Sequence, residues 1–205
     1  MTNTIKYLRV LWILTLLCTT TTISAESAKS VLDKASAAIS KKGGVSASFI
    51  LKSAQMGETS GKISVKGKKF HASTPLAIVW FDGKTQWTYM KKNDEVNISN
   101  PSEAELQAIN PYNFINMYKK GYKYTMKTTG NTHIVHLNAT DKKRSVQEMY
   151  ITVNKSTYIP TEVKMRQGAK WMTISISNFK AAPLNDSMFR FNAKDFPNAE
   201  VIDLR

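Results

Sequence analysis

The three histidines are the residues of this sequence best suited to bind a metal. His71 stands alone, whereas His133 and His136 lie three residues apart in a segment with a strand-like pattern. Residues three apart on a strand point to opposite faces of a sheet. We therefore expect that His133 and His136 do not form a ligand pair, and we predict no zinc or copper site.

Sequence motifs for catalysis are also missing. The chain has no Gly-x-Ser-x-Gly elbow for a hydrolase. Gly83-Lys84-Thr85 resembles the end of a phosphate-binding loop, but position 78 is Ile where that motif needs Gly. The acidic residues are dispersed, so a pair of catalytic carboxylates would have to converge from distant strands. A binding protein without a cofactor is favoured, and a secreted hydrolase remains an alternative.

Residues 1–25 have the pattern of a secretion signal. Lys6 and Arg9 precede the apolar run 10–18, and a small residue, Ala25, follows as a cleavage site. The apolar run is about half of the roughly 20 residues that span a bilayer, so an uncleaved anchor is the weaker alternative. We predict a signal peptide at 1–25, a single domain at 26–205, and a secreted protein.

Cys18 is the single cysteine of the chain and lies inside the predicted signal. Bacterial lipidation at a cysteine prefers a small preceding residue, and Leu17 is large, so lipidation is the weaker alternative. Cleavage after Ala25 leaves a protein with no disulfide, no thiolate metal site and no cysteine nucleophile.

The composition is that of one folded, basic domain. The chain has 205 residues, of which 42% are hydrophobic and 21% charged, and this excludes a disordered chain. Its net charge is +14, or +12 once Lys6 and Arg9 are removed with the signal. This charge favours an anionic partner such as a membrane surface. Secretion argues against nucleic acid, and a general polyanion binder remains an alternative.

The residue pattern predicts one helix followed by many strands. Ala28, Val31, Leu32, Ala35 and Ile39 recur at helical spacing before Gly43-Gly44. Alternating segments then predict strands at 45–52, 61–66, 69–73, 77–81, 85–90, 95–98, 122–127, 132–138, 145–153, 158–166 and 171–179, with short additions at 189–191 and 201–204. Asp82-Gly83 predicts a type I′ hairpin turn.

The interval between the two sets of strands has helical signals. Asn100 and Pro101 suit the start of a helix, which Pro111 ends, and a second short helix is expected at 112–118. More than ten antiparallel strands would curl, so these helices must cover one face of the sheet. Such a fold has a packed interior or holds a ligand.

Several segments resemble the periplasmic outer-membrane lipoprotein carrier family, the LolA-type chaperones. The most recognisable is an Asp-Gly-Lys turn followed by Trp-x-Tyr, here 82–89. Other matching segments are Ala47-Ser48-Phe49, Gly61–Lys66 with Phe70, Phe189-Arg190-Phe191 and Val201-Ile202-Asp203. Asn110–Phe114 and the terminal Val-Ile-Asp-Leu-Arg resemble the Bacteroidetes branch. In the family, an Arg-Pro pair often precedes the Phe that matches Phe70, and that Arg helps to hold the lid. This sequence has no Arg-Pro there, so we assign the lid-holding role to no residue.

The resemblance implies an unclosed antiparallel half-barrel with a helical lid over an apolar cavity, and no catalysis. It also implies partners: acylated lipoproteins, an inner-membrane releasing complex and an outer-membrane acceptor, with the carrier acting as a monomer. A lipid-sensing module that delivers no cargo is the alternative within this fold. We predict ten apolar residues as the acyl-binding cavity and its lid: Phe49, Ile63, Val65, Phe70, Trp80, Trp87, Tyr89, Leu106, Ile109 and Phe114.

Overall fold

The computed structural model describes residues 26–55, 57–102 and 117–205. They form one long sheet and, at the start, one α-helix, α1 (Ala28–Ile39). Twelve strands follow: β1 (Val45–Ser53), β2 (Gly57–Lys66), β3 (Lys69–Ser73), β4 (Ala77–Phe81), β5 (Gln86–Met90), β6 (Glu95–Ser99), β7 (Tyr122–Thr129), β8 (Thr132–Ala139), β9 (Glu148–Asn154), β10 (Pro160–Gln167), β11 (Lys170–Ala181) and β12 (Glu200–Asp203).

All twelve strands belong to a single curled sheet that does not close. Their order is β12-β6-β5-β4-β3-β2-β1-β11-β10-β9-β8-β7, so β12 and β7 form the two edges. Neighbouring strands are antiparallel except β12 and β6. The predicted mainly β, unclosed antiparallel architecture is therefore confirmed.

Helix α1 begins where the sequence pattern predicts. The Ser27 side chain accepts a hydrogen bond from the Ser30 N–H at 3.1 Å, which satisfies one of the free donors of the first turn. The helix buries Val31, Leu32 and Ala35 and packs against β7 and β8. We call this side of the sheet the helix face and the opposite side the outer face. Among the described helices, none has the length and apolar character needed to cross a membrane.

Two buried clusters hold the helix face together. The larger lies under α1 and includes Val135, Leu137, Met149, Ile151 and Met165, from β8, β9 and β10. The smaller lies at the other half of the sheet, where Val45, Val65, Phe70 and Phe81 pack together. Between the two clusters lie helix-face residues of β11 and of the middle of β1 and β2.

The C-terminal segment corrects one prediction. Residues 189–191 are not a strand, because a short 3₁₀ helix, Asp186–Phe189, occupies the start of this region. A second 3₁₀ helix, Ala193–Asp195, leads to β12, which pairs with β6 in parallel and places Val201 opposite Val96. After β11 the chain crosses to the edge of the sheet formed by β6. Because of this crossing, β12 runs parallel to β6.

The turn between β4 and β5 lies where the sequence predicts but is of another type. Gly83 has φ +102° and Asp82 is not among the described residues with positive φ. A type I′ turn needs positive φ at both central residues. Asp82 instead accepts hydrogen bonds from the N–H groups of Lys84 (3.0 Å) and Thr85 (2.9 Å), so its side chain and the positive φ of Gly83 together form the turn.

Candidate functional site

A strip of half-buried apolar side chains crosses the helix face between the two buried clusters. Direct pairing places Phe49 opposite Ile176 and Leu51 opposite Ile174, all on the same face. The strip consists of Phe49, Leu51, Ile63, Met172, Ile174 and Ile176. We call it the apolar strip. The prediction that Phe49 and Leu51 share a face is confirmed.

The apolar strip carries no charge. Every helix-face position of β1 and β2 is uncharged, as is β11 from Met172 to Ile176. The ring of Phe49 extends over Gly61 and fills the space that a side chain at position 61 would need. When another apolar group covers apolar surface that is partly exposed to water, the free energy of the system falls. The strip is therefore a chemically suitable surface for a hydrocarbon ligand.

Two predicted cavity residues, Val65 and Phe70, belong to the smaller buried cluster. Their exposed fractions are 6% and 1%, and the Phe70 ring packs 5.4 Å from that of Phe81. They lie on the helix face beside the apolar strip, because Val65 pairs with Phe70 and Ile63 with Ala72. In this structure both residues support the strip from the core.

Three other predicted residues, Trp80, Trp87 and Tyr89, lie on the outer face. Trp80 pairs with Trp87, whereas the adjacent β4 residues Val79 and Phe81 belong to the smaller buried cluster on the helix face. The structure therefore does not bring these aromatic residues to the same surface as Phe49, and the expectation of one shared cavity is corrected. Alternation within a strand identifies its two sets of side chains, but it does not show which set faces the helix.

The C-terminal segment packs on two of these outer-face aromatic residues, Trp80 and Tyr89. The Phe196 ring lies 5.5 Å from Trp80 and 4.6 Å from Tyr89, and Phe191 lies 5.6 Å from Trp80. Such tilted and edge-on contacts are typical of packed aromatic clusters. The predicted lid residues Leu106, Ile109 and Phe114 lie outside the described residues.

Sequence reasoning missed the β11 half of the strip. The alternation Met172-Thr173-Ile174-Ser175-Ile176 is visible in the sequence and predicts one apolar face. Its place beside Phe49 depends on β1 pairing with β11, which lies more than a hundred residues further along the chain. No local pattern reports that pairing.

The two neighbouring histidines point to opposite faces, as predicted. His133 is buried on the helix face, with Nδ1 2.8 Å from the Thr128 hydroxyl and Nε2 3.6 Å from Oε2 of Glu26. His136 stacks on Tyr150 on the outer face, with ring centroids 4.2 Å apart. Within the described parts of the chain, no three His, Cys, Asp or Glu residues are grouped so as to hold a metal ion.

Glu148 is the centre of the polar cluster on the outer face. It accepts hydrogen bonds from Arg166 Nε (3.0 Å), His136 Nε2 (2.9 Å) and the Tyr150 hydroxyl (3.0 Å). Partial burial raises the pKa of Glu148, but these three donors together outweigh burial and leave its pKa lowered. An ionised carboxylate that accepts hydrogen bonds from three donors is suited to linking neighbouring strands.

Comparisons with known proteins agree with this architecture. The family model described as outer membrane lipoprotein carrier protein LolA matches residues 18–169. An uncharacterised conserved protein from Thermus thermophilus has a similar fold, with a TM-score of 0.59 at 12% identity over 87% of this chain and 99% of that chain. A LolA superfamily protein from Nitrosomonas europaea reaches 0.44 at 14% identity, over 82% and 99% of the two chains.

A third solved structure, a putative outer membrane lipoprotein-sorting protein domain from Vibrio parahaemolyticus, has a TM-score of 0.43 at 13% identity, over 78% of this chain and 94% of that one. The comparison with curated proteins found no match. Because the family model covers well over half of the sequence, the chain belongs to the outer membrane lipoprotein carrier protein LolA family.

Proposed function

We propose that this protein is a periplasmic carrier that binds the acyl chains of lipoproteins on the apolar strip and takes them from the inner to the outer membrane. The observation that carries the proposal is the strip itself: a half-buried, uncharged surface on three adjacent strands, on the same side of the sheet as α1. The family supports the class of function, a carrier and not an enzyme.

The energetics of the strip suit a carrier. A hydrocarbon chain loses about 0.8 kcal/mol per methylene when it moves from apolar surroundings into water. A carrier must offset much of this cost and still release the chain at the acceptor membrane. A shallow strip on a rigid sheet offers apolar contact on one side only, which meets both needs. Leu106, Ile109 and Phe114 are proposed to cover the chain from the other side.

The remaining parts of the proposal follow from the sequence and the family. Residues 1–25 are a cleaved signal peptide, and residues 26–205 are the carrier domain. The protein acts as a monomer, receives cargo from an inner-membrane releasing complex and delivers it to an outer-membrane acceptor. The closing residues 201–205 and the segment 110–114 support membership of the Bacteroidetes branch.

The test compares binding of two peptides that differ only by an acyl chain. The wild-type protein is expected to bind the acylated peptide alone, with little dependence on salt, since the contact is apolar. Leu51→Glu places a charge on the strip and should weaken this binding at least about tenfold, the equivalent of roughly two methylene groups. Leu51→Ser is a milder variant that should act in the same direction.

Ile50→Glu is the matched control, because Ile50 is the neighbouring residue on the opposite face and is 39% exposed. It should leave acyl binding unchanged. Equal, salt-sensitive binding of both peptides would refute the carrier proposal and favour a polyanion binder. Acyl binding without release to acceptor membranes would instead favour the sensing module.

A further inference from the structure

A second surface feature lies beside the smaller buried cluster and shares no residue with the apolar strip. A cleft of about 560 Å³ opens between the end of α1, the turn joining β2 to β3 and the turn joining β4 to β5. Five lysines line it: Lys41, Lys42, Lys66, Lys68 and Lys69. We call it the basic cleft. It gathers lysine pairs that are far apart in the sequence.

Three of these five charges are not compensated. Asp186 pairs with Lys66 and with Lys69, each at 2.9 Å, and Asp82 pairs with Arg190 at 3.1 Å. The two lysines lower the pKa of Asp186 to about 2, so this carboxylate stays ionised at neutral pH. By contrast, Lys41, Lys42 and Lys68 are exposed, and among the described residues no carboxylate lies within ion-pair distance of them.

The helix dipole explains only part of this arrangement. Cations are favoured after the C-terminus of a helix, which accounts for Lys41 and Lys42 following α1. Lys68 lies at the tip of a different turn, beside Gly67, and yet lines the same cleft. A local capping role therefore does not account for the third charge.

The basic cleft adjoins the smaller buried cluster. Lys66 follows Val65, Lys69 precedes Phe70 and Asp82 follows Phe81 along the chain. Positive charge at this end thus stands directly next to apolar strand ends. Because these apolar neighbours are buried, the lysine side chains are the part of this end that an anionic bilayer surface would meet.

We propose that the basic cleft docks the protein on the anionic phospholipid surface of a membrane. The cleft is open and presents flexible ammonium groups, which suit many mobile headgroups better than one small anion held by guanidinium forks. This inference deepens the proposed function, and the role of docking rests on that function. Docking would bring the apolar strip to the membrane where an acyl chain is loaded or released.

The experiment measures vesicle binding by the processed protein obtained on expression of the full chain, without cargo. Vesicles of phosphatidylglycerol and phosphatidylcholine are compared with vesicles of phosphatidylcholine alone. We expect binding to the anionic vesicles only, and weaker binding at high salt. Each lysine close to an anionic surface contributes about fivefold in affinity, so K41Q/K42Q/K68Q should bind roughly 100-fold more weakly.

The matched control is K120Q/K142Q/K143Q, which removes the same charge from exposed lysines that do not line the cleft. It should keep most of the binding. An equal loss in both triple variants would overturn the proposal, because net charge alone would then explain docking. Unchanged binding by the cleft variant would overturn it as well. Displacement from vesicles by millimolar inorganic phosphate would also overturn it, in favour of a site for a free anion.

Acylated-peptide binding separates this inference from the carrier proposal. The cleft variant should bind that peptide as the wild type does, since none of its three lysines lies on the apolar strip. A wild-type protein that docks on anionic vesicles through the cleft but does not bind the acylated peptide would uphold the docking site and refute the carrier function.

Discussion

The ring of Phe49 lies over Gly61, which is directly opposite it in the pairing of β1 with β2. A Cβ atom at position 61 would come within 2.6 Å of Cζ of Phe49, and it would also meet the carbonyl oxygen of Ser73. Glycine at this position therefore leaves room for the aromatic ring. Through this pair, Phe49 of the apolar strip packs on the backbone of β2.

We expect Gly61→Ala to destabilise the protein by about 1–3 kcal/mol, because the added methyl group forces the Phe49 ring or the backbone to move. The measurement is urea unfolding of the processed protein. Ser60→Ala changes the exposed neighbour on the outer face and should have little effect. An unchanged unfolding midpoint in Gly61→Ala would show that the ring does not occupy this space.

Glu148→Gln tests the polar cluster on the outer face. The pKa of Glu148 is lowered from its ordinary 4.5 in the folded protein, so the unfolded chain binds more protons in the acidic range. Its stabilisation is therefore present above that ordinary value and is lost as the pH falls through the folded pKa. We expect the variant to lose about 1–2 kcal/mol at pH 7, and the difference from wild type to shrink in acid.

Glu162→Gln is the control for this pH series. Glu162 is half-buried on the same face of β10, and it makes no ion pair among the described residues. At pH 7 its unfolding free energy should stay close to that of the wild type, because no ion pair is lost. A constant difference between Glu148→Gln and wild type down to strongly acidic pH would contradict the assigned lowering of the pKa.

Phe196→Ala tests the attachment of the C-terminal segment. Phe196 contacts Trp80 and Tyr89 on the outer face, so removing its ring should cost about 2 kcal/mol, less than for a fully buried Phe. Hydrogen exchange of the β12 and β6 amides should speed up. Acyl binding should not change, because the apolar strip is on the other face.

The control for Phe196→Ala is Leu204→Ala, since Leu204 is 63% exposed. It should leave exchange in β6 unchanged. Weaker acyl binding by Phe196→Ala, with its fold intact, would mean that the outer-face aromatic residues contribute to the ligand site after all.

Ser27→Ala tests the start of α1. Loss of the side-chain acceptor for the Ser30 N–H should lower the unfolding free energy by about 1 kcal/mol. Ser27→Asp should retain the stability, because aspartate caps a helix equally well. If both variants unfold at the wild-type urea concentration, the first turn of α1 adds nothing to stability.

The local sequence pattern predicts most of the strands and some of the residues at which they begin and end. Alternation placed β3 at Lys69–Ser73 and β4 at Ala77–Phe81, where the structure has them. The strand expected from Tyr158 starts later, at Pro160, because Tyr158 takes φ +57° in the turn before β10. Positive φ in a residue other than glycine depends on its surroundings, so the pattern of residue types does not reveal it.

The sequence by itself determined the kind of protein: a basic β-rich domain after a secretion-like segment, with the alternation of each strand and the family motif around Asp82 and Trp87. Those features depend on neighbours a few residues apart. The tertiary structure alone decided which face of each strand lies on the helix side of the sheet, and so separated Trp87 from Phe49. It also joined Leu51 to Ile174 and brought Lys42 to Lys68, because strand pairing and loop packing act between residues far apart in the chain.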